Sequence, residues 1–256
     1  MAIDTYMLIG TPYTGRKNIV KECFEKVITD SEKTLVLLSK DEAGLDTYIE
    51  SLKKFENAVV FVYQDKEEAR DFIANEQNAQ WLFYIANPSE NLADEMEFAK
   101  ELNEYQLIRM VRILGFVDCN LYASKWNDVE NYYDALSHFS DCLMLSNRSN
   151  LQNNHIEAIK KRYEKMYRPH RVYLIDKNHR TSDINFLMID EARRMTFIFD
   201  DHDAIDDLDL DEDSLPVEPF DLKKKEDEYL LRIDTGVRAK AIDNIFEIAK
   251  GYNERD

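Results

Sequence analysis

Glycine and proline are scarce in this chain, at 6 and 5 of 256 residues. That argues against a low-complexity chain and against an all-β sandwich with its many tight turns. Only three cysteines occur, Cys23, Cys119 and Cys142. They are odd in number, widely spaced, set in apolar stretches and free of any CxxC pattern. This excludes a disulfide framework and suits reduced thiols in a cytoplasmic protein. No apolar stretch approaches the roughly 20 residues a membrane span needs. The opening Met1-Ala2-Ile3-Asp4-Thr5 has no basic segment followed by an apolar run, so no secretory signal is expected. Lysine and arginine are outnumbered 33 to 51 by aspartate and glutamate, a net charge of −18. Such a chain lacks the footprint for nucleic acid or an anionic membrane surface. Its basic clusters, Lys160-Lys161-Arg162 and Lys223-Lys224-Lys225, are short and lie beside acids. The histidines, at 138, 155, 170, 179 and 202, show neither HxxxH nor HExxH spacing. Each reads as an isolated core or surface residue, and no metal site is expected.

What is present is a rhythm. Short, continuously apolar runs alternate with helical stripes. Strands are predicted at Tyr6–Ile9, Thr34–Leu38, Ala58–Tyr63, Trp81–Ala86, Arg109–Val117, Cys142–Leu145 and Arg171–Ile175. Helices are predicted at Ile19–Ile28, Leu45–Phe55, Lys66–Glu76, Glu90–Tyr105, Trp126–Phe139 and Leu151–Tyr163. Strands that are apolar throughout are buried on both faces. Alternation with helices then predicts an α/β fold: a mainly parallel sheet flanked by helices and joined by right-handed crossovers. Ligands of such sheets bind at the carboxyl ends of the strands.

After Asp176 the rhythm breaks. Met195–Phe199 and Tyr229–Ile233 read as strands, and Gly236–Tyr252 as a final helix. Between them, residues 200–213 carry nine carboxylates. The expected organisation is a nucleotide-binding-like domain over residues 1–177 and a small α+β segment over 178–256. Asp207, Asp209, Asp211, Asp213 and Glu218 fit a calcium-loop spacing, but Glu212 stands where that loop needs glycine and Pro216 interrupts. The run reads instead as a solvated acidic loop suited to a basic protein partner.

Gly10-Thr11-Pro12-Tyr13-Thr14-Gly15-Arg16-Lys17-Asn18 leaves the first strand and opens the first helix, with the glycine spacing of GxxxxGK[ST]. The chemistry of that motif is definite. Glycines let backbone amides curl round a phosphate, and a helix N-terminus favours the anion. A lysine reaches the β- and γ-phosphates and a hydroxyl ligates Mg²⁺. Here Arg16 stands at the lysine position and Lys17 at the hydroxyl position. Arg16 can hold phosphate through its fork. Lys17 only donates, so it cannot ligate a cation. The bland alternative is a tight strand–turn–helix connection without a ligand. The phosphate reading requires amides open to an anion and early strands that run parallel.

Ser146-Asn147-Arg148-Ser149-Asn150-Leu151 leaves the sixth strand in the place and shape of a guanine-reading NKxD loop. Asn150 stands where an aspartate would accept two hydrogen bonds from the base, and it supplies one donor and one acceptor instead. The alternative is that Ser149 or Asn150 caps the following helix.

Taken in order, Gly10…Gly15-Arg16-Lys17, then Gly115-Phe-Val-Asp118-Cys119-Asn120, then Ser140-Asp141 through Asn147-Arg148-Ser-Asn150-Leu151 resemble the CobW/HypB/UreG group of P-loop GTPases. The second stretch looks like that group's "vvDa" strand end and the third like "aD.ivlnK.Dl". The resemblance spans about Tyr6 to Ile175. It implies a phosphate loop at Gly10 to Asn18, including Thr11 and Thr14, a base loop at Asn147, Arg148 and Asn150, and Asp118 near the site. It implies GTP or another nucleotide as ligand and a role in metal-centre assembly. The chain departs from the group where Ala86-Asn87-Pro88-Ser89 replaces a Walker-B acid and glycine, and where the metal-carrying CxCC is absent from Ser39–Gly44. Those losses predict a degenerate member that binds a nucleotide or phosphate compound, with weak or no GTPase activity and little use for Mg²⁺. The alternative is a non-enzymatic interaction module that keeps the fold without the ligand. Further on, Thr235 is placed to cap the last helix, with Arg238 and Lys240 beside its start.

Overall fold

A computed structural model describes residues 2–42, 44–149, 151–168, 170–184, 196, 198–199 and 226–253. Among the described residues there are seven strands: β1 (Ile3–Gly10), β2 (Thr34–Ser39), β3 (Ala58–Tyr63), β4 (Trp81–Ile85), β5 (Ile108–Asp118), β6 (Cys142–Ser146) and β7 (Arg171–Leu174). They form one sheet in the order β3-β2-β4-β1-β5-β6-β7. Every pairing is parallel. The helices are α1 (Arg16–Lys26), α2 (Leu45–Leu52), α3 (Lys66–Asn75), α4 (Leu92–Glu104), α5 (Cys119–Ser124), α6 (Trp126–Phe139), α7 (Asn153–Lys165) and α8 (Ile245–Asn253). This is the flanked parallel sheet that the apolar runs predict. Among the described residues, no helix is long and apolar enough to cross a membrane.

The inner strands β2, β4 and β6 are buried almost without a break, whereas the edge strands β3 and β7 are only half-buried. Side chains alternate across the sheet with a period of two. Tyr6, Leu8, Val36, Leu38, Phe83 and Ile85 share one core cluster with Ile19, Val20, Cys23 and Phe24 of α1 and Tyr48 and Leu52 of α2. Met7, Ile9, Leu37 and Tyr84 belong to the opposite face, where Tyr84 meets the Phe98 ring of α4 edge-on. Burying one such side chain contributes roughly 1.5–3 kcal/mol, so two filled faces supply most of what holds the sheet.

The strand order fixes where a ligand can sit. The chain starts in the middle, runs outward to β2 and β3, returns as β4 between β2 and β1, then crosses to β5 on the other side of β1. The winding therefore reverses at β1. The crevice outside the carboxyl end of that strand is the binding place of an open α/β sheet. The Gly10–Asn18 loop leaves there.

The chain divides into two compact units, residues 1–196 with 242–256, and residues 197–241. In the first, Asp243 just ahead of α8 accepts from the backbone amides of Asn131 and Tyr132 in α6. In the second, Tyr229–Ile233 is not the predicted strand. Residues 228–230 form a turn, and a single antiparallel bridge joins Arg232 to Arg238. Tyr229 and Leu230 are buried within that turn instead, and the chain folds back through Gly236, at φ 80°. The final helix begins at Ile245, so Thr235 does not cap it. Arg238 donates to the carbonyls of Tyr229 and Leu230, and Lys240 pairs with Glu228. The acidic run at 200–213 and most of Met195–Phe199 lie outside the described residues. Ile198 and Phe199 are in a turn.

Candidate functional site

Gly10 ends β1 at φ 137°, opposite Phe116 of β5. A Cβ there would lie 2.5 Å from the Phe116 carbonyl oxygen. Only glycine lets the chain leave β1 so close to β5. Thr14 then turns its hydroxyl onto the Thr11 carbonyl at 2.7 Å, which tightens the loop from within. Thr11 is buried, and its own hydroxyl has no partner among the described residues. Gly15 sits at φ 93° as the N-cap of α1. A side chain at that φ is strained, so glycine is what permits the helix to begin here. Among the described residues, no oxygen accepts from the amides of Thr14, Gly15 or Arg16. The early strands run parallel, as the sequence predicts.

The two cations behave unexpectedly. Arg16 is almost wholly buried, at 3% exposure. Its guanidinium donates to the Glu42 carboxylate at 2.6 Å and to the Ala86 carbonyl at 2.9 Å. Lys17 Nζ lies 3.5 Å from the other oxygen of the same carboxylate and 5.7 Å from the centre of the Tyr48 ring. One buried acid from the β2–α2 connection therefore faces both cations of the loop. Ala86 directly follows the end of β4. Asn18 is exposed at the rim.

Above the loop lies a cavity of about 160 Å³ lined by Tyr13, Gly15, Arg16, Lys17, Asn18, Glu42 and His179. His179 comes from the turn after β7. It is held at φ 56° by its amide bond to the Asp176 carbonyl, and Asp176 in turn accepts from Asn178 and Arg180. His179 lies against Gly15, so that a Cβ on Gly15 would come within 2.8 Å of its Cβ and 3.0 Å of its Nδ1. His179 Nδ1 is buried and has no partner among the described residues.

The second loop is built as a brace. Asp118 caps α5 through Oδ1, which accepts from the Leu121 amide at 2.9 Å. Its Oδ2 accepts from Asn147 Nδ2 at 2.6 Å. Asn147, at φ 50°, reaches the Tyr13 carbonyl at 3.4 Å with the same nitrogen. It therefore joins the ends of β5 and β6 to the β1–α1 loop. Burial raises the Asp118 carboxyl above its usual range, against the hydrogen bonds from Leu121 and Asn147. Arg148 turns away and donates twice to the Ile175 carbonyl, at 3.0 and 3.3 Å. The N-cap of α7 is Gln152, not Ser149, and its side chain makes no capping bond. Asn150 lies outside the described residues.

The structure thus gathers Gly10, Thr11, Thr14, Gly15, Arg16, Lys17 and Asn18 in one turn and ties Asp118 and Asn147 to it. Arg148 stands apart, on the end of β7. Glu42 and His179 are additions that sequence reading missed. Glu42 had no motif around it. His179 was one of five isolated histidines, and only its place after a seventh parallel strand marks it as a rim residue.

No family model matches the sequence, and no curated protein matches it. Among solved structures, the chain is similar to the Zn(II)-bound YjiA GTPase from E. coli, at 13% identity over 77% of this chain and 65% of that one, with a TM-score of 0.49. It is also similar to the chloroplast FtsY of Physcomitrella patens, at 10% identity over 72% of this chain and 64% of that one, with a TM-score of 0.46. The fold assignment rests on the strand order and the crossovers.

Proposed function

We propose that this chain binds a phosphate-bearing compound, a nucleotide such as GTP foremost, on the Gly10–Asn18 loop, and hydrolyses it slowly or not at all. One observation carries the reading. A left-handed Gly15 opens α1 under a cavity that two loop cations and His179 also line. A helix N-terminus with amides in search of acceptors is an anion site. Slow or absent turnover follows from composition: Lys17 cannot ligate Mg²⁺ where a hydroxyl is needed, and Ala86 offers no carboxylate at the end of β4. GTP rather than another nucleotide, a place in metal-centre assembly, a basic partner for the acidic run and a cytoplasmic setting belong to the same proposal. The motif resemblance supports the first two. The charge of residues 200–213 supports the third, and three buried free thiols support the last.

The test is thermal denaturation with GTP, GDP, ATP and ADP, each with and without Mg²⁺. A ligand at a hundredfold excess over its Kd stabilises by about 2.7 kcal/mol. A shift with at least one nucleotide, indifferent to Mg²⁺, is expected. No shift with any of them sinks the reading. It would favour an interaction module that keeps the fold alone, which the Arg16–Glu42 pair also supports because it satisfies the arginine without a ligand.

A further inference from the structure

We infer that Glu42 is an anion built into the phosphate loop, and that a ligand must displace its carboxylate to bind. The inference rests on the phosphate-binding reading above and adds how that site is controlled.

Its basis is the arrangement of charge around one cavity. A phosphate loop offers its ligand amides and one or two cations. Here both cations face a single carboxylate, at 2.6 and 3.5 Å, and the acid is as buried as the arginine. The same three side chains line the cavity above the loop. A second anion placed there meets Glu42 as a like charge at close range in a poorly solvated site, where such repulsion is strong. A buried charge deprived of its partner is also costly. Exchange therefore succeeds only if the incoming group satisfies Arg16 and Lys17 as well as Glu42 does. A monoanion is at a disadvantage. A di- or polyphosphate, which brings more charge and more acceptor oxygens, is favoured. The built-in acid thus acts as a threshold that only a ligand with enough charge and acceptor oxygens to satisfy both cations crosses, and it offsets one of the two loop cations when none is present.

Pyrophosphate and acetate are the probes, titrated calorimetrically into the whole chain and into Glu42→Gln. Glutamine keeps the shape and an acceptor for Arg16 but removes the charge. Pyrophosphate is expected to bind Glu42→Gln at least about tenfold more tightly than the wild type, with acetate, which carries less charge to be repelled, gaining less. Equal pyrophosphate affinity in the two proteins overturns the inference and leaves the phosphate site standing. Binding by neither protein overturns both. If Glu42→Gln does not fold, Glu42→Asp serves in its place. It keeps the charge but withdraws it by one methylene, and a several-fold gain is expected where an unchanged affinity refutes.

Discussion

Two loops at the carboxyl rim of one sheet have met the same problem in opposite ways. The β1–α1 loop and the β6–α7 loop each turn through a residue of positive φ, Gly15 and Asn147. Each sets a side-chain donor against a buried carboxylate. In the first, Arg16 and Lys17 converge on Glu42 and a cavity remains above them. In the second, Asn147 and Arg148 donate to Asp118 and the Ile175 carbonyl. That loop is a strut. The difference teaches that polar residues at a rim do not mark a ligand site by type alone. What marks it is whether they converge on space or on backbone.

The largest effect is expected where the first loop departs from the sheet. In Gly10→Ala the new methyl would overlap the Phe116 carbonyl oxygen and Cβ at 2.5 and 2.8 Å, at a φ of 137°. Backbone cannot yield there without parting β1 from β5. A loss on the order of 3 kcal/mol or more is expected, measured by urea unfolding. A loss under about 1 kcal/mol would mean that the loop is not pinned to β5 and that its cavity is loosely defined.

The strut comes next. Asp118→Asn keeps an oxygen for the Leu121 amide but sets one amide nitrogen against another at Asn147. Leaving buried donors unmatched costs roughly 1–3 kcal/mol. The cost has a pH signature. Burial raises the Asp118 carboxyl in the folded state, so the folded protein holds that proton more tightly than the unfolded chain. The stability this group lends is then fully present at acid pH. It falls as pH rises from the ordinary aspartate range through the raised folded value. The gap between wild type and Asp118→Asn should narrow over that window in urea titrations at stepped pH. A gap that widens with pH would show that the carboxylate form is the one the strut favours.

The same contrast explains what could be read in advance. The seven strands announced themselves because a sheet covered on both faces needs unbroken apolar runs, as in Thr34–Ser39 and Cys142–Ser146. Their parallel course followed from the helices between them. The turn at Gly10 to Gly15 was legible because glycine spacing encodes backbone geometry. The direction of Arg16 was not. A side chain at the first position of a helix can reach outward to a ligand or back into the core. The choice here depends on Glu42, 26 residues away in sequence and adjacent only once β2 is laid down. His179 was hidden for the same reason, as was the short helix at Cys119–Ser124, too brief to show a period. The strand expected at Tyr229–Ile233 failed because an apolar run predicts burial, and Tyr229 and Leu230 are buried in a turn.

The smallest change in stability, and the sharpest separation of the two loops, is expected from a matched pair of cation deletions. Lys17 stands 3.5 Å from Glu42, which keeps its closer pairing with Arg16 when Lys17 is lost, so Lys17→Met should cost the fold about 1 kcal/mol. Yet it removes one of two cations from the cavity, and pyrophosphate affinity should fall about tenfold. Arg148→Met removes a cation of the strut and two bonds to the Ile175 carbonyl. Its cost in stability should be equal or larger, about 1–2 kcal/mol. Its pyrophosphate affinity should match the wild type within a factor of about two. Calorimetric titration of both variants under one salt condition decides the matter. If Arg148→Met loses affinity as steeply as Lys17→Met, the two loops form one extended anion site, and the division into cradle and strut is wrong.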